Sequence, residues 1–192
     1  NAARIFCEID GAPDSNVMPG ALVFSTTAAS AGTVTERVRM DAQGRLFLNE
    51  DANGKMLMGI TLNQGGYDDE IFACKSSDVG HAMTDVAEAD TFFHIKKDQA
   101  TSGGPILAGF KDADGSAGAS LVMQGVLGEA VDTTKSASGR SCIELQAYIT
   151  DGSQDMTTPG SGGNCAAIWA GGNARFIVDA EGDIHADGGT TT

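Results

Sequence analysis

A tetrapeptide of the form Asp-Ala-x-Gly occurs four times in the chain, and it constrains the fold more than any other feature. The copies begin at Asp41, Asp51, Asp112 and Asp179. Aspartate is favoured at the first position of a type I turn, and glycine suits a following position where φ is positive. Together they form the common three-residue hairpin loop with a bulge. We therefore expect each copy to join two antiparallel strands.

Short alternating runs flank the first and last copies. Residues 37–40 are Arg-Val-Arg-Met, residues 46–48 are Leu-Phe-Leu, and residues 175–178 are Arg-Phe-Ile-Val. A period of two is typical of strands with one buried face. Further strands are expected at 21–26, 55–62, 70–76, 91–97, 105–111, 119–127, 141–150 and 164–170. Only residues 78–90 indicate a helix, through a weak stripe of Met83, Val86 and Ala87.

The stretch 141–150 has the clearest alternation. Ile143, Leu145, Ala147 and Ile149 share one face, which predicts a half-buried antiparallel strand. We expect an all-β, mostly antiparallel fold of hairpin modules with a small sandwich-like middle. The expected domains are an N-terminal hairpin module (1–54), a central β domain (55–150) and a C-terminal hairpin module (151–192). With 26 glycines and 6% aromatic residues, such a chain builds a thin core that often needs a partner subunit.

The charge balance excludes several function classes. A formal net charge of −14 repels nucleic-acid phosphates and anionic membranes. No apolar run approaches the roughly 18–20 residues that span a bilayer. The start, NAARIFCEIDG, has neither an initiator Met nor a signal-peptide pattern, so we expect a processed product or a fragment of a longer chain. Four cysteines permit two disulfides in three connectivities, but their apolar surroundings favour buried free thiols; they are Cys7, Cys74, Cys142 and Cys165.

Residues 21–49, ALVFSTTAASAGTVTERVRMDAQGRLFLN, resemble the recurrent module of bacteriophage tail-fibre and related virion fibre proteins. Residues 68–97 are similar to a segment common in phage structural proteins, and residues 173–188 are similar to their closing hairpin. The resemblance implies a β-rich, usually homotrimeric appendage that joins modules or presents a receptor-binding tip. A catalytic depolymerase module and the His-x-His pairs of iron-threaded fibre tips have no counterpart in the sequence.

A calcium site is the strongest alternative to an ordinary turn at these tetrapeptides. Asn49, Asp51, Asn53 and Gly54 have the spacing of the first half of an EF-hand loop, whose oxygen ligands suit a hard cation. Position 12 of that loop needs a bidentate acidic residue, and here it is Ile60. The turn holding Asp112 and Asp114 is similarly incomplete. Ordinary turn chemistry is therefore the preferred interpretation.

Other candidate residues are weak. Asp68, Asp69 and Glu70 are adjacent, whereas glycoside hydrolysis needs two carboxyl groups across a cleft, so a solvated loop is expected. His81, His94 and His185 lack a recognisable nucleophile context, and SGGPIL and GSGG lack the Lys-Ser/Thr of a phosphate loop. Three aromatic residues are candidates for sugar stacking: Trp169, Tyr67 and Tyr148. Trp169 is expected in the core or a subunit interface, and Tyr148 is the better exposed contact.

These patterns predict no catalytic, cofactor or metal site, and they favour a structural protein over an enzyme. We expect a homotrimeric subunit of a virion (phage tail) fibre or similar extracellular appendage, acting by assembly and multivalent receptor attachment. The partners are expected to be further copies and a host surface glycan or protein. The alternatives are a bacterial surface adhesin or carbohydrate-binding module, a self-polymerising extracellular filament subunit, and a polysaccharide-degrading tip.

Overall fold

The computed structural model describes residues 2–113 and 117–186, and within them the chain is all β with no helix. The strands are β1 (Ala3–Ile9), β2 (Gly20–Thr26), β3 (Thr35–Met40), β4 (Leu46–Leu48), β5 (Ile60–Leu62), β6 (Glu70–Lys75), β7 (Thr91–Gln99), β8 (Gly103–Gly109), β9 (Ile149–Thr150), β10 (Met156–Thr157), β11 (Asn164–Ala170), β12 (Asn173–Asp179) and β13 (Ile184–Ala186). The chain divides into two compact units, Asn1–Val122 and Met123–Thr192, so the expected boundaries at 54 and 150 do not coincide with this division.

The first unit contains two sheets. The first sheet has the order β1-β2-β3-β4-β5, antiparallel except for the parallel pair β4–β5. The second sheet, β6-β7-β8, is an antiparallel meander. Within the described part of residues 55–150 it is the only three-stranded sheet. In the second unit, β11-β12-β13 form an antiparallel sheet and β9 pairs with β10. A tight turn joins β11 to β12, because Gly171 and Gly172 both have positive φ, 59° and 80°.

The hairpin prediction is confirmed for the first tetrapeptide. The Asp41 N–H donates to the Arg45 carbonyl at 3.1 Å, and the Gly44 N–H donates to the Asp41 carbonyl at 2.9 Å. Gly44 has a φ of 78°, which is the left-handed region that a side chain disfavours. The buried Asp41 carboxylate accepts the N–H groups of Gln43 and Arg45 at 3.0 and 2.9 Å. The side chain thus fixes the loop between β3 and β4.

The last tetrapeptide repeats this loop between β12 and β13. The Asp179 N–H donates to the Asp183 carbonyl at 3.2 Å, and Gly182 has a φ of 86°. The Asp179 carboxylate accepts the N–H groups of Glu181 and Asp183 at 3.1 and 2.8 Å. Asp151 plays the same part between β9 and β10, where the sequence has no tetrapeptide. The carboxylate, more than the Ala-x-Gly that follows it, is what these loops share.

The second tetrapeptide is not a hairpin, so that prediction is wrong. Asp51 lies in the connection 49–59, which carries the chain back so that β5 runs parallel to β4. A parallel pair needs a crossover in place of a tight turn. The copy beginning at Asp112 extends into residues 114–116, which lie outside the described part of the chain.

Four secondary-structure predictions also fail, wholly or in part. Residues 78–90 form separate turns, closed by bonds such as Val86 N–H to the Met83 carbonyl at 3.1 Å, and no helix. Residues 55–62 form a strand only from 60. Residues 119–127 form no strand, and of 141–150 only the last two residues join a ladder. The large apolar side chains of 119–127 and 141–150 are exposed in the single chain. Alternation of apolar and polar residues is therefore not sufficient for strand pairing here.

The Asp41 loop gives a direct stability test. Asp41→Ala removes the acceptor of two backbone N–H groups and of Arg45, so we expect the free energy of unfolding to fall by about 1–3 kcal/mol. Asp51→Ala is the matched control within the same motif and is expected to change it by less than about 0.5 kcal/mol. Urea denaturation measures both. Equal losses for the two variants would contradict the assigned role of the carboxylate.

Candidate assembly surface

One face of the first sheet is covered by its own chain. Residues paired across strands point to the same side, and one row runs from Phe6 through Val23 and Arg39 to Phe47. Val23 and Phe47 are fully buried. The Arg45 guanidinium lies 5.5 Å from the centre of the Phe47 ring and donates to a carbonyl of the connection 49–59 at 3.1 Å. This side therefore carries the closed part of the core.

The covered face also carries the charges. Arg39 donates through Nε to Glu36 at 2.7 Å, forms an ion pair with Glu8, and lies 3.6 Å from Asp10. The Glu36 hydrogen bond is the main reason that the pKa of Arg39 is raised above its ordinary value, although burial opposes it. The side chain is largely buried, so its carboxylate partners are needed to offset desolvation.

The opposite face of this sheet is apolar and uncovered. Two rows of paired residues build it, and neither contains a charged side chain: Ile5–Phe24–Val38–Leu48–Leu62 and Cys7–Leu22–Met40–Leu46–Ile60. Ile5, Met40 and Ile60 remain 69%, 47% and 63% exposed. We call these ten residues the open apolar face. Contiguous apolar surface of this kind is uncommon on monomeric soluble proteins.

The second sheet is covered on one side only, and the β11-β12-β13 sheet has no buried side chain on either side within its described strands. In the second sheet, His94 is fully buried, whereas Phe72 and Leu107 on the other side are exposed. In the β11-β12-β13 sheet, Ile168 and Ile184 are exposed. Among the described residues, the buried hydrophobic side chains are only those of Ala21, Val23, Phe47 and Ala87. The apolar residues that the sequence provides for a core are thus mostly left in contact with solvent.

The total accessible area gives the size of this deficit. The chain of 19.6 kDa exposes 14428 Å². A folded monomer of this mass exposes roughly 8,600 Å², and two separate globular bodies of the same total length would expose about 10,000 Å². The chain therefore carries about 4,000 Å² of surplus surface, several times the roughly 800 Å² that one partner contributes to a standard interface.

Two histidines that are far apart in the sequence lie close together in the structure. The Phe110 ring stacks on His81 and meets His94 edge-on, with both ring centres 5.1 Å from its own. The Nδ1 atom of His94 lies 2.8 Å from Glu70, and the Nε2 atom of His81 lies 2.8 Å from the Thr91 carbonyl. Both imidazoles are buried and help to hold the connection 76–90 on the second sheet.

The other candidate residues are dispersed. Asp68 forms an ion pair with Lys97 at 2.9 Å, and Asn53 bonds Thr61 Oγ1 at 3.1 Å. Within residues 2–113 and 117–186, no group of three or more His, Cys, Asp or Glu is placed to hold a metal ion. Trp169 is exposed, so it is not in the core of the chain; Tyr67 and Tyr148 are exposed as well.

The four thiols are free, and the expectation that they are buried is wrong for Cys7 and Cys142, which are exposed. Cys7 belongs to the open apolar face. No helix of the described chain is long and apolar enough to cross a membrane. Comparisons with protein-family models, with curated proteins and with solved structures found no match for this chain.

His185 and Asp179 provide a pH-dependent contact. His185 Nε2 lies 2.9 Å from Asp179 Oδ2, and this hydrogen bond is the main cause that lowers the pKa of Asp179 from 3.8 and raises the pKa of His185 from 6.5. The His185 contribution to stability is therefore complete below pH 6.5 and is lost as pH rises through the raised pKa. The Asp179 contribution is complete above pH 3.8 and is lost as pH falls through the lowered pKa.

We expect the loop between β12 and β13 to be most stable between about pH 4 and 6.5. An NMR titration should show His185 with a pKa above 6.5 in the wild type. In Asp179→Asn, which keeps an acceptor oxygen for the backbone, the pKa should return towards 6.5. A wild-type value at or below the ordinary one contradicts the contact.

Proposed function

We propose that the chain is a structural subunit of a virion (phage tail) fibre or similar extracellular appendage, and that it works as a homotrimer. The observation that carries this proposal is the open apolar face, which extends over all five strands of the first sheet. Burial of apolar surface contributes about 25 cal/mol per Å², which is a strong driving force for association. The function is then assembly, and it needs neither catalysis nor a cofactor.

The charge distribution supports further copies of the same chain as the partners. Each copy has a formal net charge of −14, so two copies repel each other over most of their surface. The two rows of the open apolar face contain no charge, and Arg39 with its carboxylate partners lies on the opposite side of the sheet. Copies therefore approach most easily face to face. Three sheets around an axis would bury all three faces, and the sandwich-like layering expected for the middle would likewise be completed by neighbouring copies.

The resemblance of residues 21–49 to a virion fibre module supports the appendage. In this chain the segment contains β2, β3, β4 and the Asp41 loop, which together form the centre of the first sheet. A trimer presents three copies of any weak receptor contact, and multivalency raises the total affinity for a host surface glycan or protein without new contacts. An extracellular or virion location follows from this role.

A filament of copies joined end to end is the second candidate. β1 is seven residues long and pairs only with β2, so its outer edge is unpaired within the described chain. Exposed edges of this kind accept strands from other molecules. Growth by edge pairing has no fixed end, whereas burial of three faces around an axis stops at three copies. The two candidates therefore differ in particle size.

Light scattering of the purified chain at two concentrations tests the proposal. We expect a mass of about three times 19.6 kDa at both concentrations. Met40→Lys places a charge in the open apolar face and should raise the dissociation constant by on the order of 100-fold or more. Met18→Lys is the matched control, since Met18 is also exposed but lies outside the sheets and should leave the mass unchanged.

Circular dichroism checks that both variants keep their strands. A wild-type chain that remains a monomer at both concentrations overturns the homotrimer and favours an independent binding module, such as an adhesin or carbohydrate-binding domain. Long particles of increasing mass favour the filament. Dissociation by Met18→Lys as strong as that by Met40→Lys shows that the open apolar face is not the interface.

A further inference from the structure

The stretch 141–148 is a strand by its sequence but not in the isolated chain. Its apolar and polar residues alternate, yet Ile143 is exposed and Leu145 is 77% exposed. No backbone-to-backbone hydrogen bond involves these residues in the described chain, and a ladder begins only at β9. The chain bends at 142–143, where the Ser141 N–H donates to the Glu144 carboxylate and the Ile143 carbonyl accepts from the Ser141 hydroxyl, at 3.3 and 2.7 Å. The backbone groups of 144–148 have no hydrogen bond in the described chain, and such groups beside exposed apolar side chains are a template for an added strand.

Residues 123–127, Met-Gln-Gly-Val-Leu, also have exposed apolar side chains and belong to no ladder. They contain no charge, Val126 is 81% exposed, and they too make no backbone-to-backbone hydrogen bond among the described residues. Within one chain, a side chain at Gly125 would collide with the Cys142 carbonyl, so the two segments touch there, but no ladder forms. Each copy therefore contains two segments of the second unit that touch at Gly125 but join no ladder in the described chain.

We propose that residues 141–148 pair as a β-strand with residues 123–127 of a second copy of this chain. This inference rests on the proposed self-assembly and names a contact within it. The only charge in the two segments is Glu144, which already bonds Arg140 at 3.0 Å, so little repulsion opposes the pairing of two acidic chains. Because every copy offers one segment of each kind, the exchange is head-to-tail, and it closes when the copies form a ring.

Hydrogen exchange of the assembled full-length chain, read by mass spectrometry, tests the pairing. We expect amides of 141–148 to exchange on the order of 100-fold more slowly in the assembly than after dilution to separate chains. Leu145→Pro should abolish this protection, because proline removes a ladder donor. Ala29→Pro is the control: Ala29 is the second residue of the turn closed by the Ala31 N–H and the Ala28 carbonyl, a position that accepts proline.

The outcomes separate this inference from the proposed function. An assembly in which 141–148 exchanges as fast in wild type as in Leu145→Pro overturns the pairing and leaves the assembly intact. Protection of 141–148 in separate chains shows pairing within one chain and also overturns it. A wild-type chain that neither assembles nor protects 141–148 overturns both proposals.

A second measurement identifies the partner. Isotopically heavy and light chains carrying a benzophenone amino acid at position 148 are co-assembled and cross-linked by light. The pairing predicts cross-links between position 148 and residues 123–127 in which heavy and light peptides are joined. Cross-links that join only peptides of the same isotope contradict exchange between copies.

Discussion

The structure depends on one constraint: each sheet of the first unit has only one side that its own chain covers, and in the β11-β12-β13 sheet no described side chain is buried on either side. In the first sheet the covered side holds Val23 and Phe47 beneath Arg39, Arg45 and the connection 49–59. The other side holds two rows of apolar side chains facing water. A sheet stabilised by the hydrophobic effect on a single side has a thin core, and a domain with a thin core is marginally stable by itself. Any partner that covered the open apolar face would therefore also stabilise the fold.

Turn chemistry compensates in part for the thin core. Asp41, Asp151 and Asp179 each accept two backbone N–H groups of the loop that follows them. A shift of one residue in a strand would move its apolar side chains to the opposite face. Loops closed by these carboxylates hold the strand pairing in place, so the rows of the open apolar face are already formed within the single chain.

The sequence predicts those parts of the fold that depend on residues close together in the chain. The loops at Asp41 and Asp179 were predicted because a type I turn and a left-handed glycine are properties of four consecutive residues. The identical pattern at Asp51 gave a wrong prediction, because the parallel pairing of β4 with β5 joins residues 14 positions apart in the chain. Burial of His94 depends on its contacts with Phe110 and Glu70, and no local sequence pattern predicts those contacts. The sequence predicts a thin core but does not predict the open apolar face. The alternation in 37–40 shows that a strand has two faces, and it does not show which face stays uncovered.

The topology of the first sheet has a consequence for biogenesis. β1 to β4 pair with their neighbours in sequence, and hairpins of this kind form in microseconds, whereas the meeting of subunits is slower and depends on concentration. Under the proposed assembly, each newly made chain would pass through a stage in which its sheet is formed and its apolar surface is still unshielded. Such a stage favours aggregation. The strongly acidic remainder of the surface would then keep unassembled chains dispersed, because like charges oppose contact in every orientation except the one that joins the uncharged faces.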